Sequence, residues 1–448
     1  MDRDKLEIIL KTEMPGPNAR ALSARYDKAF AKGTYAYDSV ESGDGTSIGP
    51  WVHDVDGNWL LDFAGQVGVN VLGYNNPEIL EKLRPLPLQT PQGHAGTDFI
   101  RGDATVKVAE KILELSSQFG FDKTFFLTSG TKAVSAAKKA AQDNRRGANI
   151  GISFKGGFHG RTLDSLSSTT SKRVQGKWYD QPGREIYIDY CVEEPCRCGF
   201  MRWDKHNRKM MSELEQFLNP STGFIDPKQV KYILLEPIQG EGGYWVPSKS
   251  FMQEVERCAR EYGIPLIVDE VQSGMGRTGK WWAIEHFGVS PDLLVFGKGF
   301  QLNGIIGKEP SMYSERGRES ETCGNGGISL YKVLESLYYI EHIEKHNLLE
   351  NASKMGEYFN GRLNHICTYS SDLLEEARGI GLMQALEFRS KAQRDEFEER
   401  CFKKGLMTMG CGYKSMRFLP PLDVTKREID EAMRVMFEVR RDMLYCRK

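Results

Sequence analysis

Three short apolar runs lie between Tyr232 and Gly299, and each ends in a charged side chain. They are Tyr232-Ile-Leu-Leu-Glu236, Pro265-Leu-Ile-Val-Asp269-Glu270 and Leu293-Leu-Val-Phe-Gly-Lys298. Continuous apolar runs, unlike alternating ones, suit strands buried on both faces of a parallel sheet. Between the first two, Phe251, Val255, Cys258 and Tyr262 share one helical face with charges opposite, and Gly263 follows as a stop. The pattern predicts a β-α-β unit with a right-handed crossover. Ligands of open α/β sheets bind outside the carboxyl ends of the strands. That rule directs Glu236, Asp269 and Lys298 to one crevice.

The flanking chain continues the alternation. Thr124 to Thr131 predicts a strand, a turn of small residues at Ser129-Gly130, and an alanine-rich helix over Thr131 to Gln142. Ile152 to Thr162 predicts a strand, a glycine turn and the aromatic pair Phe158-His159. Lys107 to Leu115 is amphipathic and helical. Trp51 to Asp62 predicts a hairpin about Asp56-Gly57-Asn58. Towards the C-terminus the periodicity predicts helices over Ile328 to His346, Leu348 to Ile366, Gln393 to Lys404 and Lys426 to Leu444. Strands are expected in Ala377 to Phe388 and Ser415 to Leu419. The fold class is therefore α/β, with a mostly parallel central sheet in a large domain, residues 66–325. An N-terminal arm and hairpin, residues 1–65, join a smaller α+β C-terminal domain, residues 326–448.

Composition narrows the function. The 448 residues carry a net charge of -1, which gives no pull towards nucleic acid or a membrane surface. No apolar run approaches the ~18 residues of a membrane span. Charged residues interrupt the N-terminus, so no signal peptide is expected. Nine cysteines, an odd number scattered through a large chain, fit a reducing, cytoplasmic setting. Cys191, Cys196 and Cys198, with His206 beyond, lack the paired spacing of zinc ligands, and no metal is expected there.

A lysine at a buried strand end needs a reason. Either Lys298 pairs with Asp269, or it is a Schiff-base lysine whose pKa burial lowers. A pyridoxal cofactor needs both a lysine for its aldehyde and an acid beside its ring nitrogen. Ser129, Gly130 and Thr131 form either an ordinary helix cap or an anion site for a phosphate. Phe158 either packs in the core or stacks on a flat ring.

The order of motifs adds a resemblance. Ser129-Gly-Thr131, Phe158-His-Gly-Arg-Thr162, Glu236-Pro-Ile-Gln-Gly-Glu-Gly-Gly243, Asp269-Glu-Val-Gln-Ser-Gly274, Gly276-Arg-Thr-Gly279 and Phe296-Gly-Lys298 together resemble the class III, or ω-amino acid, aminotransferases of fold type I. The resemblance runs from about Ala19 to about Met436. It implies a pyridoxal 5′-phosphate enzyme with a homodimeric active site, possibly a dimer of dimers. Pro15-Gly-Pro-Asn-Ala19 and the body resemble 4-aminobutyrate aminotransferases. Phe296 to Gly304 and Arg417-Phe-Leu-Pro-Pro-Leu422 are closer to lysine ε-aminotransferases.

By that resemblance Lys298 carries the cofactor and shuttles the proton, while Asp269 stabilises the protonated ring nitrogen. Ser129, Gly130 and Thr131 hold the phosphate, and Thr322 reaches it from the neighbouring subunit. Phe158, His159, Glu236, Val271 and Gln272 surround the ring, with Gln272 at its hydroxyl. For the substrate, Arg161 takes a distal carboxylate, Arg417 an α-carboxylate, and Glu236 neutralises Arg417 when no α-carboxylate is present. Gln66 and Val67 line the pocket, where small or aliphatic residues are common in the family. Lys132 and Phe300-Gln301-Leu302 also depart from the family pattern, and Lys132 is expected to face solvent. The reaction implied transfers the terminal amine of an ω-amino acid, 4-aminobutyrate favoured, to 2-oxoglutarate, giving the semialdehyde and L-glutamate. Lysine ε- or ornithine aminotransferase, and an amino-acid racemase or aminomutase on the same fold, are the alternatives.

Overall fold

The computed structural model describes residues 2–30, 40–85, 102–179, 182–193, 200–204, 208–308, 312 and 328–445. The chain divides into two compact units. Unit 1 comprises Met1–Glu81, Gly276–Gly279 and His342–Lys448; unit 2 comprises Lys82–Met275 and Lys280–Glu341. The boundaries expected near residues 65 and 325 compare with breaks at 81 and 341.

Unit 2 is built on a seven-stranded sheet. In chain order its strands are β1 (Lys123–Leu127), β2 (Ile150–Phe154), β3 (Arg184–Ile188), β4 (Val230–Leu235), β5 (Leu266–Asp269), β6 (Leu293–Phe296) and β7 (Asn303–Gly307). Their spatial order is β1-β7-β6-β5-β4-β2-β3. Every pairing is parallel except the two made by β7, which runs antiparallel to β6 and to β1. All residues of β4, β5 and β6 are buried, which is why their runs read as continuous apolar stretches.

Helices cover both faces. The helix α1 (Gly130–Asp143) lays Ala133, Ala136, Ala137, Ala140 and Ala141 against Leu127, Tyr232, Leu234, Ile267, Val295 and Ile305. Alanine keeps the helix close to the sheet and costs no side-chain entropy. The alternate residues face the other way, where Phe154 meets Phe251 of α2 (Lys249–Glu261) edge-on at 5.4 Å. Ser248 caps α2 by accepting from the Phe251 N–H. This is the crossover helix expected between β4 and β5, with Phe251, Val255 and Cys258 buried and Tyr262 half-buried beyond its end.

Unit 1 holds the hairpin Trp51–His53 and Trp59–Asp62, joined in parallel by Leu406–Met407. A four-stranded antiparallel sheet runs in the order Leu374–Ile380, Met383–Phe388, Ser415–Phe418, Met409–Cys411. The helices Leu348–Thr368, Lys391–Lys403 and Lys426–Tyr445 match the predicted ones to within a few residues. Buried Glu428 ties the unit's ends together: it accepts from Trp51 Nε1 at 2.9 Å and from Arg3 Nε at 2.9 Å. Among the described residues no helix is long and apolar enough to cross a membrane.

Candidate active site

The carboxyl ends of β4, β5 and β6 open on a cavity of about 420 Å³ within unit 2. Lys298, Asp269, Glu236, Gln272 and Val271 line it, together with Phe158, His159 and Arg161 from the turn after β2. Gly130 and Thr131, the first residues of α1, close one end.

Asp269 is the last residue of β5 and shares the α1 face with Ile267. It is buried, and its Oδ2 lies 2.9 Å from His159 Nδ1. Its Oδ1 accepts the Val271 N–H at 3.1 Å. His159 is itself held by its N–H, which donates to Thr169 Oγ1 at 2.9 Å. Its second nitrogen, Nε2, is buried without a hydrogen-bond partner among the described residues. The pair therefore presents a fixed carboxylate to the cavity.

Lys298 begins a short turn, Lys298–Phe300, directly after β6. Its backbone is left-handed at φ 46°, an unfavourable setting for a residue with a Cβ. The turn ends at Gln301, also left-handed at φ 57°, whose N–H donates to the Lys298 carbonyl at 2.8 Å. Phe300 anchors it, stacking on Trp282 at 5.0 Å and meeting Phe296 at 5.3 Å. That packing is what the departure at Phe300-Gln301-Leu302 provides. Gly297 must stay small, because a Cβ there would lie 2.5 Å from Asn303 Oδ1.

Glu236 follows β4 and is buried, and that desolvation pushes its carboxyl up to about 7. Its two oxygens accept backbone N–H groups, from Phe158 at 2.8 Å and from Gly240 at 3.0 Å. It thus fixes the main chain that carries the Phe158 ring. Gln272 is oriented by the Tyr244 hydroxyl, which donates to its Oε1 at 2.9 Å. Ser129 caps α1, accepting the Lys132 N–H at 3.3 Å, while the Lys132 side chain is exposed. Thr131 Oγ1 lies 3.0 Å from Thr162 Oγ1.

Arg161 is exposed at the cavity wall. Arg417, Gln66 and Val67 belong to unit 1. Arg417 is buried on Ser415–Phe418, where its Nη2 lies 3.1 Å from Met409 Sδ. Gln66 and Val67 sit in a left-handed turn at φ 48° and 59°, braced by Asp62, whose Oδ1 accepts the Ala64 and Gly65 N–H groups. Thr322, Cys196, Cys198 and His206 lie outside the described residues. The sequence reading missed Asn303, which lines the cavity from the start of β7, and Tyr244, which sets Gln272. Asn303-Gly304 reads as a turn signal in sequence, which hid the strand.

These residues fit pyridoxal phosphate. A carboxylate stands ready for the ring nitrogen, and a lysine for the aldehyde. Phe158 offers a ring face, and the α1 N-terminus an anion site. A Cβ on Gly130 would come 3.1 Å from Val271 Cγ1, so that end of the cradle admits no larger residue without a shift.

The architecture and site define a fold type I pyridoxal-phosphate enzyme. A lysine aminotransferase from M. tuberculosis has the same fold, with 25% identity, a TM-score of 0.80, and coverage of 94% of this chain and 98% of that one. Residues 44–439 match the family described as aminotransferase class-III, and the chain belongs to that family of pyridoxal-phosphate-dependent aminotransferases. An alanine/serine racemase from Pyrococcus horikoshii is 31% identical over 98% of this chain and 95% of its own length. A 4-aminobutyrate aminotransferase from Dictyostelium discoideum is 30% identical over 93% of this chain and 88% of its own. Acetylornithine aminotransferases also occur among the relatives.

Proposed function

We propose that the protein moves the terminal amino group of an ω-amino acid, 4-aminobutyrate favoured, to 2-oxoglutarate, giving the semialdehyde and L-glutamate. The observation that carries this reading is the meeting of Lys298, the Asp269–His159 pair and Arg161 around one cavity. Arg161 offers a planar guanidinium suited to a carboxylate held away from the reacting amine. Likeness to the 4-aminobutyrate and lysine enzymes supports a terminal amine as donor.

Pyridoxal 5′-phosphate, when bound, supplies an electron sink beside the substrate carbon. Asp269 keeps the proton on the ring nitrogen, and His159 fixes the Asp269 carboxylate. Lys298 Nζ would take the proton from the amine-bearing carbon as a base and deliver it as an acid to C4′ of the cofactor, a different carbon. Phe158, braced through Glu236, would hold one ring face, with Val271 and Gln272 beside the ring and Gln272 at its hydroxyl. Ser129, Gly130 and Thr131 hold the phosphate, with Thr322 of a second copy in a homodimer, and the setting is cytoplasmic. Arg417 as α-carboxylate clamp, Glu236 as its switch, and Gln66 and Val67 as pocket residues rest on the family resemblance. Arg417→Ala should weaken the glutamate half-reaction by about 2–5 kcal/mol and spare the ω-amine half. Equal losses in single-turnover absorbance would count against that assignment.

A second reading follows from the racemase, whose likeness spans nearly the whole chain. In it the proton returns to the same carbon and the amino group stays on the substrate. The deciding experiment incubates the purified enzyme with 4-aminobutyrate, lysine, ornithine or β-alanine, each with 2-oxoglutarate. Glutamate and an aldehyde from 4-aminobutyrate are expected. Glutamate from lysine or ornithine alone would move the donor. No glutamate from any donor, with alanine or serine racemised in the absence of an oxo acid, would replace the proposal.

A further inference from the structure

Away from the cavity, the described residues of unit 1 hold a cluster of two imidazoles and a carboxylate, His342, His346 and Glu78. Their ligand atoms all lie within 4.8 Å of one another. His342 and His346 are four residues apart, at and just past the last turn of the helix Leu330–Lys345, so both rings project from one side. Glu78 comes from a different helix, Pro77–Leu83. His342 Nδ1 is 3.6 Å from Glu78 Oε2, and His346 Nε2 is 2.8 Å from Glu78 Oε1. Ligands at about 2.0–2.1 Å from a tetrahedral zinc stand roughly 3.3 Å apart, so a pair at the 4.8 Å limit must close by about 1.5 Å, a movement shared between two side chains.

A second observation points the same way. His342 is only 9% exposed, and its Nδ1 is buried with no hydrogen-bond partner among the described residues. A buried imidazole nitrogen costs free energy unless it is satisfied. This one is aimed at a carboxylate oxygen 3.6 Å away, just beyond hydrogen-bond reach, and an ion between them would satisfy the nitrogen.

We propose that Glu78, His342 and His346 form a site for zinc or a similar divalent transition ion, with water completing the coordination. Two neutral imidazoles and a carboxylate suit such an ion better than calcium or magnesium, which prefer all-oxygen sites. Because its ligands come from two helices, the ion would clamp the start of Pro77–Leu83 to the end of Leu330–Lys345.

Two neighbours oppose binding, and they make the proposal testable by gain as well as loss. Lys345 Nζ is 2.7 Å from Glu78 Oε2 and competes for that oxygen. Asn76 is the second. Its Oδ1 accepts the Glu78 and Ile79 N–H groups at 3.1 and 3.3 Å, which turns its Nδ2 towards His342 Nε2 at 3.1 Å. His342 Nε2 must then accept, so the ring proton sits on Nδ1, the atom the ion needs. Metal binding forces the other tautomer and sets two N–H groups face to face. An aspartate at position 76 can accept from both helix amides and from Nε2–H, the carboxylate–histidine–metal arrangement that favours ligation.

The test titrates tag-free holoenzyme with zinc against a chromophoric chelator. Wild type should take up one zinc that His346→Ala, an accessible position, does not. Lys345→Met and Asn76→Asp should each tighten that zinc by about 10-fold, the lower range seen when groups that touch a metal's ligands are changed. The thermal midpoint should rise with zinc in wild type and not in His346→Ala. Loss in His346→Ala together with tightening in either gain variant establishes the site. Uptake unchanged in His346→Ala, or tightened in neither gain variant, overturns it.

Discussion

Asp269 and Glu270 are neighbours in sequence at the end of one strand, and they face opposite ways. Asp269 meets the His159 imidazole and opens on the cavity. Glu270 turns to the other face, where it is fully buried. Its Oε1 accepts the Ile284 N–H at 2.7 Å, its Oε2 accepts the Ser273 hydroxyl, and so it holds the turn Ala283–His286 in place. Burial pushes the Glu270 carboxyl up to about 7. Deep burial of an acid therefore does not by itself mark chemistry. What separates the two is the surroundings: an imidazole and open space for Asp269, a closed ring of N–H and O–H donors for Glu270.

Mutations can break that distinction, and the largest effect should come from the residue both sides of the cavity serve. Lys298→Ala should lower turnover by roughly 10⁴-fold or more, since anchor and proton carrier go together. Borohydride should fix the cofactor of the wild type to the Lys298 peptide; a label on Lys280 or Lys308 would refute the assignment. Asp269→Asn should keep the fold and cost roughly 10³-fold in kcat, because an amide cannot stabilise the ring nitrogen's proton. Near-normal kcat would dissolve the contrast with Glu270.

Glu270→Gln should leave kcat within a few-fold and change the pH dependence of stability instead. The Glu270 carboxyl binds its proton more tightly folded than unfolded, so its contribution is greatest below pH 4.5 and falls as pH rises through about 7. Above that window a buried charge costs about 3 kcal/mol relative to the acid form. Denaturant titrations at pH 5 and pH 8 should show the variant gaining on wild type by that order at the higher pH. A gap independent of pH would mean that Glu270 does not titrate there. Ser273→Ala, which removes one donor, should cost about 1–2 kcal/mol at pH 8 with kcat unchanged.

The contrast also explains what could be read from the chain. The strands β4 to β6 were legible because both faces are buried, and the alternation at Asp269-Glu270 places the acids on opposite sides once β5 is known. The helix start at Ser129 was legible from its cap. Other features depend on contacts that no local pattern announces. Gln66 and Val67 hold left-handed backbone without being glycine, because Asp62 accepts the neighbouring amides. Tyr244 acts on a glutamine distant in sequence, and Gly276–Gly279 joins the compact unit of the chain ends, where the carbonyl of Pro420 accepts from Arg277. The expected role of Thr322 lies outside the described residues.

The reversed direction of β7 has a mechanical consequence. A parallel neighbour for β6 would need a crossover of a dozen residues or more. Reversal instead closes the link between Phe296 and Asn303 as a tight hairpin, with the lysine inside it. Hydrogen bonds to the sheet clamp the main chain before and after Lys298, so its Cα has little freedom to travel. In the proposed role, whatever distance the amine covers between one proton position and the next would be covered by its own four methylenes. In this protein reach is a property of the side chain, and the hinge is its χ angles.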